Sequence, residues 1–362
     1  MNAPSSRMIG FDMARAFAML GMMIVNFKTV MNAGENGPDW LIAFASMFEG
    51  RASAVFVVLA GVGISLMTRK ARTSKDAVLI QDYKRTIRRR SLFLFTAGML
   101  LCFAGWSGDI LHYYGLYMLI ASFLLMFSNR KLLVGFMVFL FTAQLLQIAL
   151  NYWQGWNPLL PFMDYLDFWT IEGFLRNLLY NGYHPLFPWF CFFLLGMWLG
   201  RQNMMDRAYR NKMLGYSLAA AVVLEIVAFF LIKGSSLAVG LDAAQFLFST
   251  KTYPPNLFYI LSSSSTAVAV IVICIYFAEK FAAHWFTVTM VRTGQLTLTH
   301  YVSHVFIGIG LLAVLGKLEN QTLMSSLFYS CAFFSASSLL SYLWRSKYTR
   351  GPLEGLMRLI SD

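Results

Sequence analysis

The residues able to do chemistry in this chain sit inside or at the edges of long apolar runs. In Gly108-Asp109-Ile110-Leu111-His112-Tyr113-Tyr114-Gly115, Asp109, His112 and Tyr113 fall at i, i+3 and i+4, one face if the stretch is helical. A carboxylate beside an imidazole raises its basicity or fixes its tautomer, and a polar helix cap is the plainer account. Tyr183-His184-Pro185-Leu186-Phe187-Pro188-Trp189 places His184 before two prolines that stiffen a helix start. It reads as a held base or as an interfacial side chain. His300 and His304, at i, i+4 around Tyr301, suit a polar cavity lining, with a metal or b-type haem as the sharper reading. Asp12 and Arg15 at i, i+3 can pair, and Asn26 suits an interhelical hydrogen bond. Glu225 has no local partner and is expected to face a bundle interior. Residues 69–90 carry Arg69, Lys70, Arg72, Lys75, Lys84, Arg85, Arg88, Arg89 and Arg90. That run fits anionic lipid, or a docking surface for a phosphorylated cytosolic donor, since guanidinium forks match phosphate. Cys102, Cys191, Cys274 and Cys331 lie in apolar stretches without metal-like spacing and read as small buried side chains; no metal is expected.

Elements that could position such residues follow from composition. The chain is 58% hydrophobic before its 26 glycines are counted and only 13% charged, against about 25% charged for soluble domains. A soluble globular enzyme, a disordered chain and a collagen-like one are excluded. The apolar residues come in blocks of about 20, the length that spans a hydrocarbon core. The fold class is therefore all-α, a polytopic transmembrane helix bundle of about ten spans forming a single integral membrane domain over 1–362. The spans are expected near 9–31, 52–68, 91–107, 110–128, 132–150, 185–200, 213–232, 254–277, 295–316 and 323–344.

With the N-terminus inside, 22 of the 29 Lys and Arg fall in inner segments and six in outer ones, Arg15 lying within the first span. This split puts both termini in the cytoplasm, and assigns the +12 charge to topology rather than to nucleic acid. The outer loops, 32–51, 151–184 and 233–253, are aromatic, with Trp40, Phe44 and Phe48 at i, i+4, i+8, and are expected to form short interfacial helices. No proline falls mid-span and no internal repeat is visible, so the broken helices of many transporters are not signalled.

Several pieces resemble one family in order along the chain. They are Arg7-Met8-Ile9-Gly10-Phe11-Asp12-Met13-Ala14-Arg15 with Gly21 and Asn26, and Gly108-Asp109-Ile110-Leu111. There follow His184-Pro185-Leu186-Phe187-Pro188-Trp189 with Gly196 and Gly200-Arg201, then Tyr253-Pro254-Pro255. The set closes with Gly294-Gln295-Leu296-Thr297-Leu298-Thr299-His300-Tyr301 and Gly351-Pro352-Leu353-Glu354. Together they look like the membrane acyltransferases related to heparan-α-glucosaminide N-acetyltransferase, a group that includes bacterial YeiB-like multi-pass proteins. The resemblance implies transfer of an acyl group, usually acetyl from cytosolic acetyl-CoA, to a saccharide across the membrane. The family's usual Arg-Gly is Arg15-Ala16 here. The first outer loop, 27–51, has no His, where the animal enzyme carries its catalytic one.

The reading that joins these features is an acyltransferase of the plasma (bacterial inner) membrane. Acyl-CoA docks at Arg85, Arg88, Arg89 and Arg90, with Arg15, His300 and His304 as further donor-side groups. His184 acts as general base near Asp109, His112 and Asn26, and Asn26 or a tyrosine steadies the oxyanion. The partners implied are membrane lipid and a saccharide or glycolipid acceptor, and a homodimer stays open. Two other readings stand beside it. One is a transporter or flippase whose pathway is lined by Asp12, Arg15, Glu225, His300 and His304; the other is a non-catalytic envelope partner. The orientation is testable directly. Cysteine placed at Glu35, Asp167 or Asp242 should react with an impermeant thiol reagent from outside, and at Lys75 or Asn211 only from inside. The opposite labelling would invert the topology.

Overall fold

The computed structural model describes residues 8–159 and 162–361; Arg7 of the first-span motif lies outside them. The described chain is all-α apart from one isolated bridge, Trp156 to Tyr165. In order come α1 (Ile9–Val30), α2 (Asp39–Ser46), α3 (Arg51–Met67), α4 (Arg69–Ser74), α5 (Ala77–Phe103), α6 (Leu111–Leu124), α7 (Asn129–Ala149) and α8 (Ile171–Arg176). A π-helical turn, Asn177–Asn181, leads to α9 (Leu186–Leu199), α10 (Arg207–Val239), α11 (Leu241–Phe248), α12 (Leu257–Lys280) and α13 (Trp285–Gly294). Then follow α14 (Thr297–Ser303), a second π turn (His304–Ile309), α15 (Gly310–Val314), α16 (Leu323–Lys347) and α17 (Pro352–Ser361).

Seven helical stretches among the described residues are long and apolar enough to cross a membrane, so the chain is an integral membrane protein with several spans. They are Ile9–Val30, Asp39–Met67, Asn129–Ala149, Arg207–Val239, Leu257–Lys280, Thr297–Val314 and Leu323–Lys347; α6 and α9 are shorter apolar helices. The expected count of ten is thus too high, and seven to nine is what the helices support. The third expected span, 91–107, is only the apolar half of α5, whose first half carries Lys84 to Arg90. At 14 residues each, α6 and α9 reach about 21 Å at 1.5 Å per residue, short of a ~30 Å hydrocarbon core.

Three further expectations change. Residues 69–90 are not a loop: Arg69–Ser74 is helical, and Asp76 caps α5 by accepting from the Val78 and Leu79 amides. The outer segment expected to begin at 233 is still helix until Val239, where Gly240 turns the chain at a φ of 86° that other residues rarely adopt. Glu225 is exposed, with its carboxylate accepting from Thr250 Oγ1 (2.7 Å) and Ser262 Oγ (2.8 Å). Short helices do form in the aromatic segments expected outside, and Phe44 of α2 meets Phe48, just past its end, edge-on.

Two compact units make up the described chain, the first of 8–56, 207–218 and 266–356, the second of 57–206, 219–265 and 357–361. In the first, α1, α13 and α16 pack together, and Gly294 lies so close to α1 that an added Cβ would sit 1.7 Å from the Asp12 carbonyl oxygen. In the second, α5 packs along α6 and α7 along α9. The α5–α6 contact depends on small residues. A Cβ on Gly98 would lie 2.2 Å from the His112 amide nitrogen and 2.3 Å from Asp109 Oδ2. Ser91 Oγ reaches across to the Gly115 carbonyl at 2.6 Å. Gly98→Ala should therefore push the start of α6 away, costing about 1–3 kcal/mol as overpacking does. Gly215→Ala on α10, where no atom lies within 4 Å of the new methyl, should hold or raise stability by up to about 1 kcal/mol. Thermal midpoints in detergent check both, and equal midpoints would show that the α5–α6 contact is loose.

Candidate functional site

The site of the second unit is built at the start of α6. Asp109 lies two residues before the helix proper, so it caps rather than shares a helical face with His112. Its Oδ2 accepts from the His112 amide (2.9 Å) and from the His112 ring Nδ1–H (2.8 Å). Both side chains are fully buried. Binding the Nδ1 proton fixes the tautomer that leaves Nε2 as a lone pair, and Nε2 meets no hydrogen-bond partner among the described residues.

Beside His112 and one turn beyond it on α6, Tyr113 and Tyr117 hold the segment that carries His184. Tyr113 OH donates to Asn177 Oδ1 at 2.5 Å and accepts from the Tyr183 amide at 3.2 Å. Tyr117 OH donates to the His184 carbonyl at 2.5 Å. The His184 ring stands edge-on to Tyr113 (5.9 Å between centroids) and to Trp189 (4.4 Å), while the His112 ring lies against Tyr113 at 3.9 Å. His184 Nδ1 also lacks a partner among the described residues, yet the residue keeps 9% of its surface open. Asp109, His112, Tyr113 and His184 thus form one cluster.

Burial is the largest influence on His184 and pushes its pKa down to about 3; the Asp109 charge pulls it up and His112 pushes it down. The imidazole is neutral across the physiological range and presents one lone pair. Burial likewise pushes the neighbouring Tyr183 up to about 12, so that hydroxyl stays protonated. Cys102 on α5 completes a second grouping that sequence spacing does not suggest. Its Sγ is 3.8 Å from His112 Nδ1, and one donor atom each from Cys102, Asp109 and His112 lie within 4.8 Å of one another. These donors are of types that hold divalent metals. As they stand, His112 Nδ1 and Asp109 bond to each other.

In the first unit the polar residues that the sequence singles out engage partners. Arg15 donates to Asp12, whose second oxygen accepts from Gln295 Nε2 at 3.2 Å, and Gln295 Oε1 accepts from Arg345 at 3.0 Å. Asn26, expected near the reacting centre, gives an Nδ2 hydrogen to His304 Nε2 at 2.9 Å, and His304 Nδ1–H bonds the Tyr301 carbonyl. His300 donates to Ser341 at 2.6 Å and borders an apolar groove of about 560 Å³ between α14 and α16. Glu354 accepts from the Leu298 and Thr299 amides at 2.9 and 3.1 Å, capping α14 from the C-terminal tail. Among the basic residues of α5, Arg88 Nε bonds Ser122 and lies over the Phe123 ring. Arg90 Nε bonds Ser361, and Arg85 and Arg89 are exposed.

Sequence reasoning missed Asn177 and Asn181. Asn177 receives Tyr113, and Asn181 receives Tyr165 OH and donates to the Tyr152 and Gln154 carbonyls. A π turn carries both, as another carries His304, and such turns bring successive side chains to positions a regular helix does not offer.

The comparisons bear on what this geometry belongs to. Residues 7–230 match the model of heparan-alpha-glucosaminide N-acetyltransferase, catalytic, and residues 199–361 match a family of proteins of unknown function, DUF418. The first match takes in more than half of the chain, and the chain belongs to that N-acetyltransferase catalytic family of membrane proteins. No curated protein matches the chain. All four residues of the buried cluster fall within the matched 7–230, whereas His300 and His304 fall outside it.

A buried neutral histidine has a stability consequence. His184 has a folded pKa of about 3 against 6.5, so its contribution is complete above pH 6.5 and is lost as pH falls towards 3, because the unfolded chain binds the extra proton. His184→Gln should flatten that part of the stability–pH curve, followed by thermal melts in detergent. Parallel curves for the two proteins would mean that His184 charges freely in the folded state.

Proposed function

We propose that this protein is a membrane-bound acyltransferase. It would take an acyl group, acetyl by the family's usage, from a cytosolic acyl-CoA and place it on a hydroxyl or amine of an extracytoplasmic saccharide or lipid-linked glycan. The observation that carries this reading is the buried Asp109–His112–Tyr113–His184 cluster inside the region that matches an N-acetyltransferase catalytic model. Acyl transfer needs a lone pair to take the acceptor's proton as the nucleophile attacks the thioester carbonyl. His184 supplies it as the partly open imidazole of the cluster. Its protonated form is disfavoured by burial, and the Asp109 carboxylate opposes that penalty while orienting His112 beside it. The proton then passes to the departing CoA thiolate, so the acceptor gains the acyl group and the donor leaves as thiol.

In this account the spans run with both termini in the cytoplasm, which brings the basic flank of α4 and α5 to the donor's side. Arg85 and Arg89 attract the donor there at long range. Arg88 and Arg90, already bound within the protein, shape the surface. His184→Ala should lower acetyl transfer by about 10²–10⁴-fold, the usual contribution of a positioned base, while acetyl-CoA binding persists. Asp109→Asn should also slow transfer and move the acid limb of the rate profile downwards, since His184 then loses the charge that raises its basicity. Transfer from radiolabelled acetyl-CoA by reconstituted protein measures all three forms. Near-normal turnover of His184→Ala would remove it as the base.

A further inference from the structure

Gly200-Arg201 is a piece of the sequence signature that the acyl-transfer cluster leaves unused. In the second unit it ends α9 against the inner end of α3, where an added Cβ on Gly200 would lie 2.8 Å from the Ser65 Cβ. This close approach lets Arg201 and Arg72 converge on one residue. Arg72 Nη2 donates to the Ser65 carbonyl at 2.7 Å and Nη1 to Thr68 Oγ1 at 2.6 Å. Arg201 Nε donates to Ser65 Oγ at 3.4 Å, its Nη1 to the Phe127 carbonyl at 2.5 Å and Asn129 Oδ1 at 3.4 Å, and its Nη2 to the Leu125 carbonyl at 3.4 Å. Every partner is neutral. Neither guanidinium pairs with a carboxylate among the described residues, although both are half-buried and Arg69 adds a third positive charge nearby. Burial pushes both arginines below their ordinary value, helped by the Arg69 charge at Arg72 and by the Arg72 charge at Arg201, which falls to about 10.

Two half-buried like charges held together without an acid are unfavourable alone, and a dianion bridging them reverses the sign of the interaction. Arg72 keeps its Nε–H and one hydrogen on each Nη open, and Arg201 keeps one on Nη2; such planar forks suit phosphate oxygens better than a single carboxylate. The acidic residue nearest to Arg72 in sequence, Asp76, bonds elsewhere, capping α5.

We propose that Arg72 and Arg201 form a phosphate-recognition site that holds the phosphate or pyrophosphate group of the acyl-CoA donor. This rests on the acyltransferase reading above and deepens it, replacing the α5 arginines as the point of tight docking. The same chemistry could serve an anionic lipid headgroup, so the test separates the two sources. Full-length protein in detergent would be titrated with acetyl-CoA and with inorganic pyrophosphate by calorimetry. Each ligand-induced thermal shift would be taken against that variant's own ligand-free midpoint.

Arg72→Gln and Arg201→Gln should each weaken acetyl-CoA and pyrophosphate by about 10- to 100-fold, the loss expected for charge-assisted hydrogen bonds. Arg201→Lys, which keeps the charge but loses the fork, should weaken both ligands too. Arg85→Gln with Arg89→Gln should change mainly the salt dependence. Wild-type affinity for acetyl-CoA in folded Arg72→Gln and Arg201→Gln would overturn the site and leave the acyltransferase reading standing. Binding of pyrophosphate without acetyl-CoA, lost in both variants, would keep the anion site and overturn both the donor assignment and that reading. Protection by phosphatidylglycerol vesicles but by neither soluble ligand would assign the arginines to lipid and overturn the proposal.

Discussion

A single carboxylate, Asp109, sets the geometry on which the site depends. It is fully buried in a chain made mostly of apolar helices, where an uncompensated charge costs several kcal/mol. Accepting the amide and the ring proton of His112 together satisfies it and fixes three things at once. It starts α6 at a defined residue, sets the imidazole tautomer, and ties the loop after α5 to the helix that follows. Gly98 leaves the room for this on α5. From there the regular rise of α6 places Tyr113 and Tyr117 one and two turns on, and those two hydroxyls anchor the backbone of 183–184. His184 is thus located by α6 as much as by its own prolines.

The buried polar groups differ in whether their bonds close. Asp12, His300 and His304 within spans, and the half-buried Asn26 and Glu354, all engage protein partners, as residues that hold helices together in a low dielectric must. His112 Nε2 and His184 Nδ1 have none among the described residues, as is also true of Trp189 Nε1, Thr287 Oγ1 and Ser338 Oγ. A buried nitrogen left open is costly, and such cost collects where a structure is shaped for a partner it binds transiently. Arg72 and Arg201 show the same departure in charge rather than in hydrogen bonding.

Much of this was legible in the residues. Hydropathy located the long helices, because a span must satisfy its backbone internally and so reads as a block of apolar length. The spacing of Asp109 and His112 announced their pair, Asp12 and Arg15 theirs, and the ordered motifs announced the family. The span count failed where length and charge share one helix: α5 runs unbroken from a basic half into an apolar one, so its hydropathy alone marks neither end. Asn177, Asn181 and the partners of Asn26 and Glu354 were hidden for another reason. Their contacts join residues far apart in sequence, or depend on π turns that periodicity cannot register. The pairing of Arg72 with Arg201 was equally hidden, since a tally of loop charges counts them without saying that Gly200 brings them together.

The central claim is that the acyl group reacts at the cluster around His184. A cryo-EM structure of the full chain with bound acetyl-CoA tests it most directly. The account predicts the thioester carbonyl within reach of that imidazole, leaving space for an acceptor oxygen or nitrogen at about 3–3.5 Å from both. An acetyl group ordered instead against His300 or His304, with the His184 cluster empty of donor and acceptor, would contradict it.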